Sequence, residues 1–186
     1  IASGLLYGWL RLGGKRPFAE VDFVRGIVTG ILLLGLGNGL VIWAEQGVPS
    51  GIAALIVGAI PVTVLILDWA FFARRAPTLQ AATGIAIALL GVVIMVAHTR
   101  SLSGNVRLLH LVALITAVAA WSLGTLIQKR TPMNNNVLSF ACVQMFWGGV
   151  SQGVMALLNG EWQRFDPAHV SWQSALAVLY LIVFGS

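Results

Sequence analysis

Two carboxylates, Glu45 and Asp68, lie inside long apolar stretches of this chain. A charge in a lipid-like environment costs at least ~2.5–3.5 kcal/mol, so each carboxylate needs a partner or a wet cavity. One helical face combines an amide with a carboxylate at i, i+3, i+7 and i+10: Gly35, Asn38, Ile42 and Glu45. This face either lines a solute path, or Glu45 extends to the membrane surface while Asn38 bonds a neighbouring helix.

Asp68 is followed closely by Arg74 and Arg75. This proximity favours an ion pair at the membrane surface over a role in proton coupling. Pro61 lies seven residues before Asp68 on nearly the same face. Proline interrupts a helix and frees a carbonyl, which either faces a cavity or marks a simple packing kink.

Two further faces place polar groups among apolar ones at helical spacing. The first can form a pocket wall, with core or lipid contact as the alternative: Trp121, Gly124, Thr125 and Gln128. The second is weaker, and contact between helices is its default explanation: Gln144, Gly148 and Ser151, with Gln152 and Trp147 nearby.

Enzymatic chemistry finds little support in the sequence. His98, His110 and His169 have no metal-ligand spacing, and Cys142 is the single cysteine. The nucleophile-elbow and phosphate-loop motifs are missing from the sequence. We therefore predict no catalytic residue, no metal and no cofactor. Nucleic acid is not a predicted partner either, because the basic residues cluster between apolar runs instead of along one polar face.

The composition requires lipid as part of the solvent, since 58% of residues are apolar and only 9% are charged. Apolar segments follow one another along the chain: A (1–10), B (26–46), C (50–73), D (79–98), E (109–128), F (137–158) and G (172–186). Segments B to F have roughly 20 residues or more, which suffices to span a bilayer. The sequence predicts an all-α, polytopic transmembrane helix bundle. Because it opens and closes inside apolar stretches, we expect an internal fragment.

Basic residues are distributed unequally between alternate loops. Eight belong to one side, namely Arg11, Lys15, Arg16, Arg25, Arg74, Arg75, Lys129 and Arg130, against Arg100, Arg107 and Arg164 on the other. Positively charged loops stay in the cytoplasm. Segments B, D and F are therefore predicted to run outward.

Several short motifs resemble the EamA-type branch of the drug/metabolite transporter superfamily. They are Gly37-Asn38-Gly39, the stretch from Ala44 to Ala54 (AEQGVPSGIAA), Pro61, Gly84-Ile85-Ala86-Ile87, Gly91-Val92-Val93 and Trp121-Ser122-Leu123-Gly124. The resemblance covers nearly the whole chain. One departure is Ala73-Arg74-Arg75, where many relatives have a glutamate. No role based on that glutamate transfers to this chain.

The resemblance implies a ten-helix inner-membrane protein made of two inverted five-helix repeats. Residues 1–98 would hold helices two to five of the first repeat, and residues 109–186 helices six to eight of the second. It also implies a secondary transporter that exports amino acids, small metabolites or drugs by alternating access. The fragment alone should be inactive.

Combining these arguments, we predict that Asn38, Glu45, Pro61, Trp121, Gly124, Thr125 and Gln128 contact the solute. Glu45 and Asp68 are the candidates for proton coupling. The expected partners are a small-molecule solute, protons and the lipid bilayer, with a homodimer as a further possibility. Two alternatives stay open: a non-transporting membrane scaffold or assembly subunit, and a flippase for a lipid-linked substrate. An integral-membrane enzyme ranks below both.

Overall fold

The computed structural model describes residues 1–13, 21–73, 78–98, 108–132, 137–164, 166 and 170–184. All regular structure within these ranges is helical. The helices are α1 (Ala2–Leu12), α2 (Phe23–Ala44), α3 (Ser50–Phe72), α4 (Leu79–His98), α5 (Leu108–Lys129), α6 (Val137–Leu158), α7 (Glu161–Arg164) and α8 (Trp172–Phe184). The predicted all-helical architecture is thereby confirmed.

Each predicted apolar segment forms a helix, and α4 and α6 have the predicted bounds. Helix α2 begins at Phe23, before segment B. The reason is that the Asp22 side chain accepts a hydrogen bond from the Arg25 backbone N–H at 3.0 Å. Such an N-cap satisfies a donor that the first turn leaves unpaired. The short helix α7 was not predicted from the sequence.

Within the described ranges, four helices are long and apolar enough to cross a membrane: α2, α3, α5 and α6. Each has 22 or 23 residues, which corresponds to about 33 Å at the rise of an α-helix. Shorter apolar stretches lie within α4, at Leu79–Gly91, and within α8, at Trp172–Ile182. The chain is therefore polytopic, whereas the ten-helix arrangement with two repeats stays a prediction.

Helix α2 forms the centre of the bundle and packs against α5 and α6. Helix α3 packs on α5, α1 packs on α6, and α4 lies against the first half of α3. Glycines allow the central helices to approach closely, because a Cβ at Gly124 would lie 2.8 Å from Leu33 Cγ. We call the end where α2 begins and α3 and α5 finish the inner end, and the opposite end the outer end.

Two of the long helices depart from regular α-geometry. Residues Gly30–Asn38 of α2 form a π-helical segment, and α3 breaks at Ala59 before a second piece with Pro61 in its first turn. The predicted interruption at Pro61 is confirmed. A π-helical stretch inserts an extra residue into the turn, and such stretches are frequent at functional sites.

Candidate solute-binding site

The π-helical segment of α2 borders a cavity of about 820 Å³ between α1, α2 and α6. Its polar lining residues come from all three helices: Ser3, Asn38, Gln144 and Gln152. The remaining walls are apolar or glycine, and none of the described lining residues carries a charged side chain. Phe146 and Val150 in the lining are exposed, so the cavity is an open groove on the apolar bundle. Its amides are suited to binding a polar group without net charge.

Asn38 has an unused hydrogen-bonding capacity in this cavity. Its side chain is half-buried, and it forms no hydrogen bond with any residue in the described part of the chain. A primary amide offers two donors and one acceptor. At lipid depth, leaving these groups unpaired is unfavourable, so the amide is available to water or to a solute.

Gln152 joins α6 to the distorted part of α2. Its Nε2 donates a hydrogen bond to the Leu34 carbonyl oxygen at 2.8 Å, within the π-helical segment. Irregular helical geometry is tolerated in a membrane where a side chain satisfies the displaced backbone groups. Gln152 therefore stabilises the segment that presents Asn38 to the cavity.

Gln144 joins α6 to α5 in a similar way. Its Nε2 donates to Gln128 Oε1 at 3.2 Å, and both side chains are half-buried. Gln128, a predicted site residue, thus contacts a residue that lines the cavity. Asn38 from α2 and Gln144 and Gln152 from α6 thus bring three amides to the same cavity.

The rest of the predicted face on α5 turns toward α2. Trp121 lies beside Gly37, where an added Cβ would be 3.5 Å from the indole Cδ2, and Gly124 is buried against Leu33. Thr125 Oγ1 donates to the Trp121 carbonyl oxygen at 2.8 Å. These contacts place the face inside the bundle, although the three residues do not line the cavity beside Asn38.

The structure does not bring Glu45 or Pro61 to this cavity. Glu45 is the C-cap of α2 and still has helical backbone geometry, but its side chain is exposed at the end of the helix and is not part of the cavity lining. Pro61 is exposed on α3.

Asp68 lies in a cluster of charges at the inner end. Its carboxylate accepts hydrogen bonds from Lys129 Nζ at 3.2 Å and from Arg130 Nη2. The Arg130 guanidinium also lies over the Phe72 ring, 4.3 Å from its centroid. An ion pair is present as expected, but with residues of α5 and the turn after it; Arg74 and Arg75 lie outside the described residues.

Arg25 extends this cluster to α2, because its Nη1 donates to the Arg130 carbonyl oxygen at 3.1 Å. Basic residues near the start of α2 and at the end of α5 therefore meet at the inner end. This agrees with the prediction that these loops lie on the same side of the membrane.

Sequence analysis assigned the polar face of α6 to contacts between helices, and the hydrogen bonds of Gln144 to Gln128 and of Gln152 to the Leu34 carbonyl agree with that assignment. Gln144, Gly148 and Gln152 recur at i, i+4 and i+8, and all three line the cavity. The spacing was visible, but hydropathy does not reveal which face of an apolar helix turns inward. Ser3 was missed because a single serine in an apolar segment has no distinctive pattern.

Several helices long and apolar enough to span a bilayer, packed in one bundle, define a multi-pass membrane protein. The chain belongs to the EamA-like transporter family, which matches residues 1–97. This confirms the family expected from the motifs of α2 to α5.

Curated relatives agree with this assignment. The chain is 32% identical over 188 aligned positions to the uncharacterised inner membrane transporter YedA of Escherichia coli K12, and equally to YedA of strains CFT073 and O157:H7. The alignment covers the whole chain and 58% of the length of each relative. No solved structure matches the chain significantly. The chain is thus a multi-pass protein of the inner membrane.

Proposed function

We propose that this chain forms part of the solute path of a secondary transporter that exports amino acids, small metabolites or drugs. The observation that carries the proposal is the Asn38 amide, which faces a cavity at lipid depth without a partner among the described residues. The uncharged lining favours a neutral or zwitterionic solute, because a buried net charge would lack a counter-ion there.

The proposed mechanism is alternating access of two inverted halves around this cavity. Helix α3 belongs to the predicted first half and α5 to the second, and the Asp68 ion pairs link them at the inner end. At the outer end the same helices and the turn after α2 meet in an apolar cluster: Ala44, Val48, Ala53, Ala113 and Leu114. Each end thus has a closing contact that a moving half would have to break.

Solute binding tests the proposal directly. The whole protein that contains this chain is purified in detergent and screened against a metabolite library, and hits are tested for flux in proteoliposomes. We expect Asn38→Leu to weaken binding of the hit by about tenfold, the effect of losing one buried hydrogen bond.

Thr116→Val provides the matched control, because Thr116 is exposed on α5 and its hydroxyl bonds only the Val112 carbonyl of its own helix. Its affinity should equal that of the unaltered protein. Failure to bind any solute, or equal affinity of the Asn38→Leu protein, would contradict the proposal and favour a membrane scaffold. Flux of a lipid-linked substrate instead would favour the flippase alternative. The 186-residue chain alone is expected to transport nothing.

Proton coupling through Glu45 and Asp68 stays part of the proposal. Glu45 is exposed at the outer end, and Asp68 is engaged by two cations at the inner end, so the two carboxylates would act at opposite faces. Glu45→Gln should reduce the dependence of flux on the pH gradient. Glu161→Gln, which changes another exposed glutamate, should leave it intact. Equal coupling in both variants would remove Glu45 from the mechanism.

A further inference from the structure

A second groove lies between α1, the start of α2 and α6, and it encloses about 390 Å³. Four aromatic side chains line it: Tyr7, Phe23, Phe146 and Trp147. The rings of Phe146 and Trp147 meet edge to face, with their centroids 5.8 Å apart. Phe23 and Phe146 are exposed, so this aromatic groove opens to the surroundings of the bundle, which are lipid for spanning helices.

The wall that α1 contributes to the aromatic groove is open at Gly4. A Cβ added at Gly4 would meet nothing within 4 Å, so the empty space reaches the backbone of the helix. One turn of α6 holds this wall in place, because Cys142 Sγ donates a hydrogen bond to the Ser3 carbonyl oxygen at 3.3 Å. A slot between aromatic rings and a glycine backbone is suited to an unbranched hydrocarbon chain.

Arg11 lies where the aromatic groove approaches the inner end. Gly4, Tyr7 and Arg11 follow one another at i, i+3 and i+7, on one face of α1. Arg11 Nε donates a hydrogen bond to the Tyr7 hydroxyl at 3.1 Å, and the guanidinium carbon lies 5.7 Å from the Tyr7 ring centroid. Tyr7 therefore connects the apolar groove to a positive charge in the last turn of α1.

The Arg11 guanidinium has donors left for an anion. Of its five N–H donors, the hydrogen bond to Tyr7 uses one, and no acidic side chain in the described ranges pairs with Arg11. Two parallel N–H groups of an exposed guanidinium match the oxygens of a phosphate. Arg11 is exposed, so a phosphate in the headgroup region can reach it.

The other charges at the inner end favour an anion as well. Asp22, at the start of α2, forms an ion pair with Arg25 at 3.2 Å, and Asp68 is engaged by Lys129 and Arg130. Both described acids at this end are thus already neutralised. In sequence, the connections on this side that lie outside the described ranges add four basic residues and one acidic residue: Lys15, Arg16, Arg74, Arg75 and Glu20.

We propose that the aromatic groove binds an acyl chain of an anionic phospholipid whose phosphate lies on Arg11. The inner end carries the positively charged loops and faces the leaflet in which anionic lipids attract basic residues. A zwitterionic lipid offers the same chains but places a second cation beside the guanidinium. The site shares Ser3 and Phe146 with the candidate solute cavity, so the bound lipid borders that cavity.

Brominated lipids test the proposal, because bromine on an acyl chain quenches the fluorescence of an indole that it contacts. The whole protein that contains this chain is reconstituted in phosphatidylcholine, and part of the lipid is replaced by phosphatidylglycerol or phosphatidylcholine with brominated chains. The quenching that disappears in Trp147→Phe reports on the groove. From it we expect phosphatidylglycerol to bind about fivefold more tightly than phosphatidylcholine, the effect of one arginine near an anionic headgroup.

Variants separate the charge from the groove. Arg11→Gln should reduce the preference for phosphatidylglycerol to about onefold, whereas Arg11→Lys, which keeps the charge, should retain a preference. Gly4→Leu fills the groove and should abolish quenching of Trp147 by either lipid. Gly84→Leu on α4 is the matched control, since a Cβ there also meets nothing within 4 Å, and it should change neither result.

A soluble headgroup distinguishes lipid binding from binding of phosphate alone. Glycerol 3-phosphate lacks the acyl chains and should not reduce the quenching. Equal binding of the two lipids, a preference that survives in Arg11→Gln, or displacement by glycerol 3-phosphate would overturn the proposal. So would a Trp147 that no lipid quenches, because another protein segment would then cover the groove. None of these outcomes depends on the solute, so the lipid site and the transport function are tested separately.

Discussion

Lys129 on α5 donates a hydrogen bond to the Asp68 carboxylate on α3 over 3.2 Å, although 61 residues separate them in sequence. Arg130 donates to the other carboxylate oxygen, so two cations share one acid. The pairing places the C-terminal end of α3 beside the C-terminal end of α5. It therefore connects the first and second parts of the chain at the inner end.

The two cations should contribute unequally to stability. The Arg130 side chain is 36% exposed and lies over the Phe72 ring, whereas the Lys129 side chain is 66% exposed. The Arg130 carbonyl oxygen also accepts a hydrogen bond from Arg25. Screening and side-chain entropy weaken exposed pairs. We expect Arg130→Met to lower the thermal unfolding midpoint in detergent more than Lys129→Met. An equal or reversed order would show that the ring contact and the lower exposure of Arg130 contribute nothing.

Close contact between α2 and α6 predicts a difference between two adjacent glycines. A Cβ at Gly148 would lie 2.5 Å from Leu34 Cβ, whereas at Gly149 it would meet nothing within 4 Å. Overpacking a tight interface costs about 1–3 kcal/mol. Gly148→Ala should therefore lower the free energy of unfolding by about that amount, and Gly149→Ala should not, when both are measured by denaturant titration in mixed micelles. Similar losses in both variants would contradict the α2–α6 packing.

The amide bridge between Gln144 and Gln128 predicts a measurable coupling. Hydrogen bonds between membrane helices contribute about 0.6 kcal/mol on average. A double-mutant cycle of Gln144→Leu and Gln128→Leu should return a coupling energy of about that size in unfolding experiments. Pairing Gln128→Leu with Ser174→Ala, a distant change on α8, should return additive effects. Additivity in the first cycle would mean that the bridge is absent.

Hydropathy predicted the helices well because lipid imposes a minimum apolar length on any spanning segment. The bounds of α6 matched those of segment F, and differences elsewhere came from local chemistry such as the Asp22 cap. The helix break at Pro61 was also predictable, since proline lacks the donor that a continuous helix needs.

The rotation of each helix about its own axis, and the contacts between residues distant in sequence, were less predictable. The hydrogen bond from Gln152 to the Leu34 carbonyl was not predictable in detail, because it depends on a π-helical segment that nothing in the residue pattern of α2 indicates. Asp68 was expected beside nearby arginines, but the bundle brings Lys129 and Arg130 to it from another helix. His110 was considered only as a metal ligand, because its burial depends on Trp43 and Gly47 arriving from α2.

The wide turns of residues Gly30–Asn38 have a consequence for how evolution can alter α2. A π-helical turn holds one residue more than an α-helical turn. Deleting one residue there would return the stretch to α-geometry and leave the residues beyond it, Trp43 included, facing the same way. The same deletion in the regular turns between Gly39 and Trp43 would instead rotate Trp43 by about 100°, away from His110, on whose ring it stacks.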